Sequence, residues 1–183
     1  MMTQILLAGF GGQGILFTGK FLAYAGLLED REVSWLPSYG PEMRGGTANC
    51  SVILSDEAIG SPIVLRPDVL MAMNLPSFSR FAPLVRQDGF IFADSSMFAA
   101  DCGRTDVVCH YVPATQLAAN ADLDGLANMI LLGKLLRVTE LCRPESIRKA
   151  MEKTVPPRKQ QLFESNLKAL ALGADFGIGE KQG

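Results

Sequence analysis

The chain is poor in the residue types that usually carry metal and acid–base chemistry. It has one histidine, His110, and four cysteines, Cys50, Cys102, Cys109 and Cys142, among 183 residues. No two cysteines form a Cys-x-x-Cys pair, and their separations match neither zinc nor iron–sulfur spacing. A histidine-based metal site or a Ser-His-Asp triad would depend on His110 alone. That residue lies in the apolar run Val107 to Val112, where a partly buried strand histidine is expected. Charge of one sign is also lacking: 17 Lys and Arg stand against 19 Asp and Glu, a net of −2. The basic surplus of a nucleic-acid binder is therefore absent. No apolar run approaches the ~18 residues of a membrane span. The start, Gln4-Ile5-Leu6-Leu7-Ala8, carries none of the basic residues of a secretory signal. A cytoplasmic protein with reduced thiols is expected, with no nucleic-acid or membrane partner.

What is present is apolar. At 48% hydrophobic residues, global disorder is excluded, and the length suits one domain. The apolar share is rich for a solitary chain and points to a buried partner face or a homodimer.

The first forty residues read as strand, glycine loop, helix, strand. Ile5 to Ala8 is a short continuous apolar run, as in a strand covered on both faces. Gly9-Phe10-Gly11-Gly12-Gln13-Gly14 follows, and Ile15 to Leu28 carries apolar residues at helical spacing. Val33 to Leu36 is the next strand, expected parallel to the first in a right-handed βαβ unit. The loop Pro37 to Gly46 is punctuated by Gly and Pro at both ends. Thr47 to Leu54 alternates with period two; Val69 to Met73, Phe90 to Ala93 and Val107 to Val112 complete the strands, with a short helix around Phe78 to Val85. Asp124 is expected to cap a deeply buried helix running to about Thr139. Pro144 opens another, and an amphipathic helix bearing Leu162, Phe163, Leu167 and Leu170 should stop at Gly173. The expected class is α/β: a three-layer, Rossmann-like mixed sheet with C-terminal helices. A single domain spans 1–173, with a flexible tail over 174–183.

Two loops concentrate the candidate site. Gly9, Gly11 and Gly14, with Gly12 and Gln13 between, sit after a strand and before a helix, the context of a dinucleotide fingerprint. Such a fingerprint also needs an acid about 20 residues on, at the end of the second strand. Here that strand ends Leu36-Pro37-Ser38, and Glu32 precedes it, at the wrong end. Three uses of the loop remain open: a nucleotide, close helix–sheet packing, or docking of a phosphate or a backbone. The second loop places Ser38, Tyr39, Gly40, Pro41, Glu42, Arg44, Gly45 and Gly46 on a rigid Pro/Gly frame. If the two strands are parallel, both loops emerge at the carboxyl edge of the sheet, the usual ligand side. The Arg44 guanidinium suits an anion or a partner's carboxylate, and Glu42 can hold it in place.

These stretches carry a resemblance. GFGGQGI (9–15) with SYGPEMRGGTANC (38–50) closely resembles the gamma subunit of the 2-oxoacid:ferredoxin (acceptor) oxidoreductases. The likeness continues through Pro113-Ala114-Thr115 and through Ala127 to Gly133. It implies a holoenzyme that decarboxylates a 2-oxo acid on thiamine diphosphate, transfers the acyl group to coenzyme A and passes electrons through iron–sulfur clusters to ferredoxin. It implies alpha, beta and ferredoxin-like delta partner subunits, with the thiamine site between alpha and beta and the clusters on cysteine-rich chains. The gamma chain then binds no cofactor alone, has no catalytic or metal residues of its own, and completes the complex. Met43, Gly46 and Thr47 depart from the pyruvate-type loop, so 2-oxoglutarate or a branched-chain 2-oxo acid is the expected substrate. Two other readings stay open: an independent nucleotide-binding oxidoreductase, which lacks its ribose acid here, and a pure assembly module.

Overall fold

A computed structural model of the chain describes residues 1–38, 47–99, 101–155 and 159–177. The elements run β1 (Met2–Phe10), α1 (Ile15–Leu27), β2 (Glu32–Ser38), β3 (Thr47–Ser55), β4 (Val69–Ala72), α2 (Leu75–Phe81) with a 3-10 turn at Ala82–Leu84, β5 (Phe90–Asp94), β6 (Val108–Val112), α3 (Ala114–Asn120), α4 (Ala127–Thr139), α5 (Pro144–Thr154) and α6 (Gln160–Asp175). The strands form one six-stranded sheet in the order β2-β3-β1-β4-β5-β6. The β1, β4, β5 and β6 pairings are parallel, whereas β3 runs antiparallel to both β1 and β2.

The strand alternation builds the three layers. Along β1, Ile5 and Leu7 face α1, α4, α5 and α6 in the larger core. Leu6 and Ala8 face the smaller core, built on Phe78, Phe81 and Phe98. Both faces of the central strands are covered, which is why they read as continuous apolar runs. The larger core is closed by α4, whose Met129 to Leu132 are fully buried, as its apolar circumference predicts. The mixed Rossmann-like α/β architecture expected from the sequence is the one observed.

Several details differ from the sequence reading. The second strand does run in the direction of the first, but it is not its neighbour: β3 lies between them, so the βαβ crossover skips a strand. Asp124 is not a helix cap. The left-handed backbone at Asp122 (φ 56°) and Gly125 (φ 81°) keeps this stretch in turns, and α4 starts at Ala127 with Leu126 in the cap position. The early helix begins at Leu75 rather than near Phe78, because Asn74 caps it by accepting from the Ser77 N–H at 2.9 Å. A further short helix, α3, follows β6.

The glycine expected to stop the last helix instead lies inside it. α6 continues through Gly173 to Asp175, and Lys134 Nζ donates to the Phe176 carbonyl at 2.8 Å beyond its end. Gly173 faces the Ile130 carbonyl, and Gly133 of α4 faces the backbone of Leu170. A glycine on each helix lets the two backbones touch.

Candidate functional site

The glycine loop is closed from below by side chains. Gln13 is the latch: its Oε1 accepts from the Phe10 N–H at 2.6 Å and from Asn74 Nδ2 at 3.3 Å. Its Nε2 donates to the Met73 carbonyl at 3.2 Å. The loop is thereby tied across the sheet to the end of β4. Gly14, in the left-handed region at φ 74°, takes the cap position of α1. Its carbonyl accepts from the Thr18 N–H, the Thr18 hydroxyl and Asn128 Nδ2 at 2.9, 3.0 and 3.3 Å. Asn128 Nδ2 also lies 3.0 Å from Thr18 Oγ1. A Cβ on Gly14 would collide with the Asn128 amide, whereas one on Gly12, at φ 93°, would enter open space. Gly9 lies within β1 and is packed by Gln13 and Ile15.

What remains is a set of backbone donors. Among the described residues, the amides of Gly11, Gly12 and Gly14 and of the first helical turn, Ile15 to Phe17, have no hydrogen-bond acceptor. These N–H groups stand at the positive end of the α1 dipole, with no acidic residue in that first turn. Free amides at a helix N-terminus are, in general, suited to an anion or a carbonyl. Cys50 lies beneath, donating to the Ile15 carbonyl at 3.6 Å, and burial pushes its thiol up to about 12.

Ser38 is exposed at the end of β2. It pairs with Asn49, which pairs on its other side with Ala8. Thr47 pairs with Phe10. The residues that bracket the second loop thus stand on the same sheet edge as the glycine loop. Tyr39, Gly40, Pro41, Glu42, Arg44, Gly45 and Gly46 lie outside the described residues.

His110 is far from this edge, on β6. It is half-buried and stacked on Phe92 at 5.0 Å. Burial, with the Lys134 charge adding to it, lowers its basicity. The sequence reading of a partly buried strand histidine holds. Among the described residues, no three His, Cys, Asp or Glu side chains converge as a metal site would need, and no helix is long and apolar enough to cross a membrane.

The family described as pyruvate ferredoxin/flavodoxin oxidoreductase matches residues 4–176. The chain belongs to that family. The ketoisovalerate oxidoreductase subunit VorA of Methanothermobacter thermautotrophicus is 41% identical over 175 residues, 94% of this chain and 36% of the relative. The 2-oxoglutarate synthase subunit KorC of Methanocaldococcus jannaschii is 35% identical over 176 residues, 94% of this chain and 92% of that one. Among solved structures, the fold superposes on a 2-oxoglutarate:ferredoxin oxidoreductase from Magnetococcus marinus determined with 2-oxoglutarate, coenzyme A and succinyl-CoA. The TM-score is 0.88 at 22% identity, with 100% of this chain and 32% of that one covered. The chain therefore spans just over a third of the length of VorA and nearly all of KorC.

Within this pyruvate ferredoxin/flavodoxin oxidoreductase fold, one of the stretches that carried the resemblance meets the glycine loop through Asn128. Ala127 to Gly133 supplies both Asn128, beneath the glycine loop, and Gly133, at the α4–α6 contact. Thr115 of the Pro113-Ala114-Thr115 stretch anchors Asp94, a fully buried carboxylate at the end of β5. The Asp94 carboxylate accepts from the Thr115 hydroxyl at 2.6 Å, the Thr115 N–H at 3.1 Å and the Ser96 N–H at 3.1 Å. Asn74, Asp94 and Asn128 were not singled out from the sequence. The available signals were a polar residue inside the apolar α4 pattern for Asn128 and an Asn two residues before Pro76 for Asn74.

Proposed function

We propose that this chain is the gamma subunit of a 2-oxoacid:ferredoxin oxidoreductase, working in the cytoplasm with alpha, beta and ferredoxin-like delta subunits. The observation that carries the reading is the end-to-end match with KorC, a 2-oxoglutarate synthase subunit of nearly the same extent, within a family match over 4–176. VorA, which acts in ketoisovalerate oxidation by its name, supports the substrate class: 2-oxoglutarate or a branched-chain 2-oxo acid.

The holoenzyme's oxidative decarboxylation needs thiamine diphosphate, iron–sulfur clusters and coenzyme A. All four cysteines and the histidine of this chain are described, and only Cys102 and Cys109 come together. The donor set does not fit a cluster, so no electron-transfer step is drawn through this chain. An anionic group at the glycine loop is supported by the amides of Gly11, Gly12 and Gly14, which have no acceptor among the described residues, and by the open space at Gly12. Gly11, Gly12 and Gly14 would hold a coenzyme A phosphate, or a carboxylate of the alpha subunit. Coenzyme A, when bound, supplies the thiol that accepts the acyl group. Ser38 at the neighbouring strand end and Arg44 of the second loop are assigned to the same surface.

Co-purification and reconstitution test the reading. The isolated chain should be colourless, iron-free and inactive toward every 2-oxo acid. Combined with its alpha, beta and delta partners it should restore coenzyme A-dependent reduction of ferredoxin with 2-oxoglutarate or 3-methyl-2-oxobutanoate. A complex that is fully active without this chain would overturn the assignment. Arg44→Ala should weaken assembly or raise the KM for coenzyme A, since losing one partner of a buried charge pair at an interface costs about 2–5 kcal/mol. Wild-type values for both quantities would remove Arg44 from the site.

A further inference from the structure

At the sheet edge away from the glycine loop, two thiols face each other. Cys102, in the segment joining β5 to β6, and Cys109, on β6, bring their Sγ atoms to 2.7 Å. Both are half-buried against the smaller core of Phe78, Phe81 and Phe98. The segment is held by contacts at Cys102 and at Arg104. The Cys102 N–H donates to the Tyr111 hydroxyl at 3.1 Å. Arg104 donates to the Ala82 and Val85 carbonyls at 3.1 and 2.6 Å, and pairs with the Asp106 carboxylate at 2.9 and 2.6 Å. The approach of the two sulfurs is thus imposed by a framework of hydrogen bonds. Cys50 and Cys142, by contrast, are buried in the larger core.

We propose that Cys102 and Cys109 are a redox-responsive modification site, a dithiol that closes reversibly into an intramolecular disulfide and ties the β5–β6 segment to the edge strand. Disulfides in reducing compartments are transient and sensing, and a sulfur pair already in contact needs little backbone movement to join. The oxidant is a low-molecular-weight disulfide, RSSR. Cys102 loses its proton to solvent and its sulfur attacks RSSR, giving a mixed disulfide and one thiolate. Cys109 then loses its proton as its sulfur displaces the second thiolate. Two S–H bonds break, one S–S bond forms, and RSSR is reduced to two RSH by the two electrons the cysteines give up. Burial and the Cys102 thiol beside it push the Cys109 thiol up to about 12. The site is independent of the gamma-subunit reading, since it uses no residue of the glycine loop.

The test is peptide mapping of the full chain after equilibration with glutathione disulfide and glutathione in stepped ratios, with rapid alkylation. Trypsin cuts after Arg104 and separates the two cysteines, so a disulfide appears as the peptides 87–104 and 105–134 joined, two hydrogens lighter than their sum. The joined species should rise with the oxidant ratio and vanish with dithiothreitol, while Cys50 and Cys142 remain alkylatable only after unfolding. Cys109→Ser should convert Cys102 to a stable single glutathione adduct. Recovery of Cys102 and Cys109 as separate thiols or as two glutathione adducts at every ratio would overturn the proposal. So would joining only between copies, seen as a covalent dimer on a non-reducing gel. The wild-type map decides the matter even if the variant does not fold.

Discussion

Substituting Gly173 by Ala tests whether the backbone contact between α4 and α6 is what the glycine is for. Two effects of opposite sign compete. Ala in a helix interior is favoured over Gly by about 0.8–1.0 kcal/mol, so a glycine with space around it should be improvable. At Gly173 there is none: the added Cβ would overlap the Ile130 carbonyl oxygen and stand 2.6 Å from the Ile130 carbonyl carbon. Carbon pairs rest at about 3.5–4.0 Å, so α6 must retreat by about 1 Å at this point. Its neighbour is backbone, which has no rotamer to yield. A gap of 0.5–1 Å forfeits roughly a quarter to a half of each dispersion contact it opens. Overpacking of this kind costs about 1–3 kcal/mol, occasionally more, and the backbone obstacle puts Gly173 at the upper end. After the helical gain, a net loss of about 2 kcal/mol remains. For a chain of this length that lowers Tm by about 4–8 °C. Gly133→Ala should behave alike, since its Cβ meets the carbonyl carbon and Cα of Leu170 at 2.8 and 2.9 Å. The double variant should lose less than the two single losses added together, because one separation of the helices relieves both clashes. Gly60→Ala, with open space around it, is the control and should stay within about 1 °C of wild type. Thermal denaturation followed by circular dichroism measures all four. A Gly173→Ala protein that melts at or above the wild-type temperature refutes the close-approach argument.

Gly14→Ala should lower stability by about 2–3 kcal/mol, combining left-handed strain of about 1–2 kcal/mol with the disturbed Asn128 hydrogen bonds. Gly12→Ala carries the strain alone, so its melting point should fall less; the reverse order would show that Asn128 does not lock the loop. Thr115→Val removes the hydroxyl donor to buried Asp94 and should cost about 1–3 kcal/mol in urea denaturation; an unchanged midpoint would mean that the two backbone amides suffice. His110 is held below its ordinary value by burial and by Lys134, so the unfolded chain takes up this proton first as pH falls. Its stabilising contribution is therefore complete above the unfolded value of about 6.5 and is lost as pH drops through the lower folded value. His110→Phe, which preserves the stack on Phe92, should melt with a smaller drop between about pH 7.5 and about pH 5.5 than wild type; equal drops would refute the assignment.

The strands and their faces were legible because both sides of the central sheet are buried, which forces continuous apolar runs with turn residues between them. The glycine loop was legible from its context, after a strand and before a helix. Strand order was not. Nothing in Thr47 to Leu54 says that it pairs with β1 rather than beyond β2, because antiparallel and parallel neighbours present the same alternation. Gly173 was misread for a related reason: glycine at the end of an apolar periodic stretch signals a stop, and only the second glycine, 40 residues earlier on α4, reveals a contact. The roles of Gln13, Asn74 and Asn128 depend on partners distant in sequence. Gln13 reaches 60 and 61 residues along the chain to Met73 and Asn74, and Asn128 reaches back 114 residues to Gly14.

The inserted antiparallel strand bears directly on what the carboxyl edge can accept. Had β2 paired with β1, the two strand ends would stand one spacing apart, about 4.8 Å, with the second strand's end available for a ribose-binding acid. With β3 between them, the ends of β1 and β2 are about 10 Å apart, and the start of β3 fills the interval. The edge is broadened from a crevice to a platform. That geometry disfavours a dinucleotide held between neighbouring strand ends, independently of the missing acid. β2 is also an outer strand, paired on one side only, and it presents Trp35 and Leu36 partly exposed within a few residues of Ser38. An unpaired strand edge with exposed aromatic and aliphatic side chains is a natural protein contact. It lies on the same side of the sheet order as the amide cradle at Gly11 to Gly14. The free edge of β2 and the end of β1 that leads into the glycine loop thus both belong to the β2-β3-β1 half of the sheet.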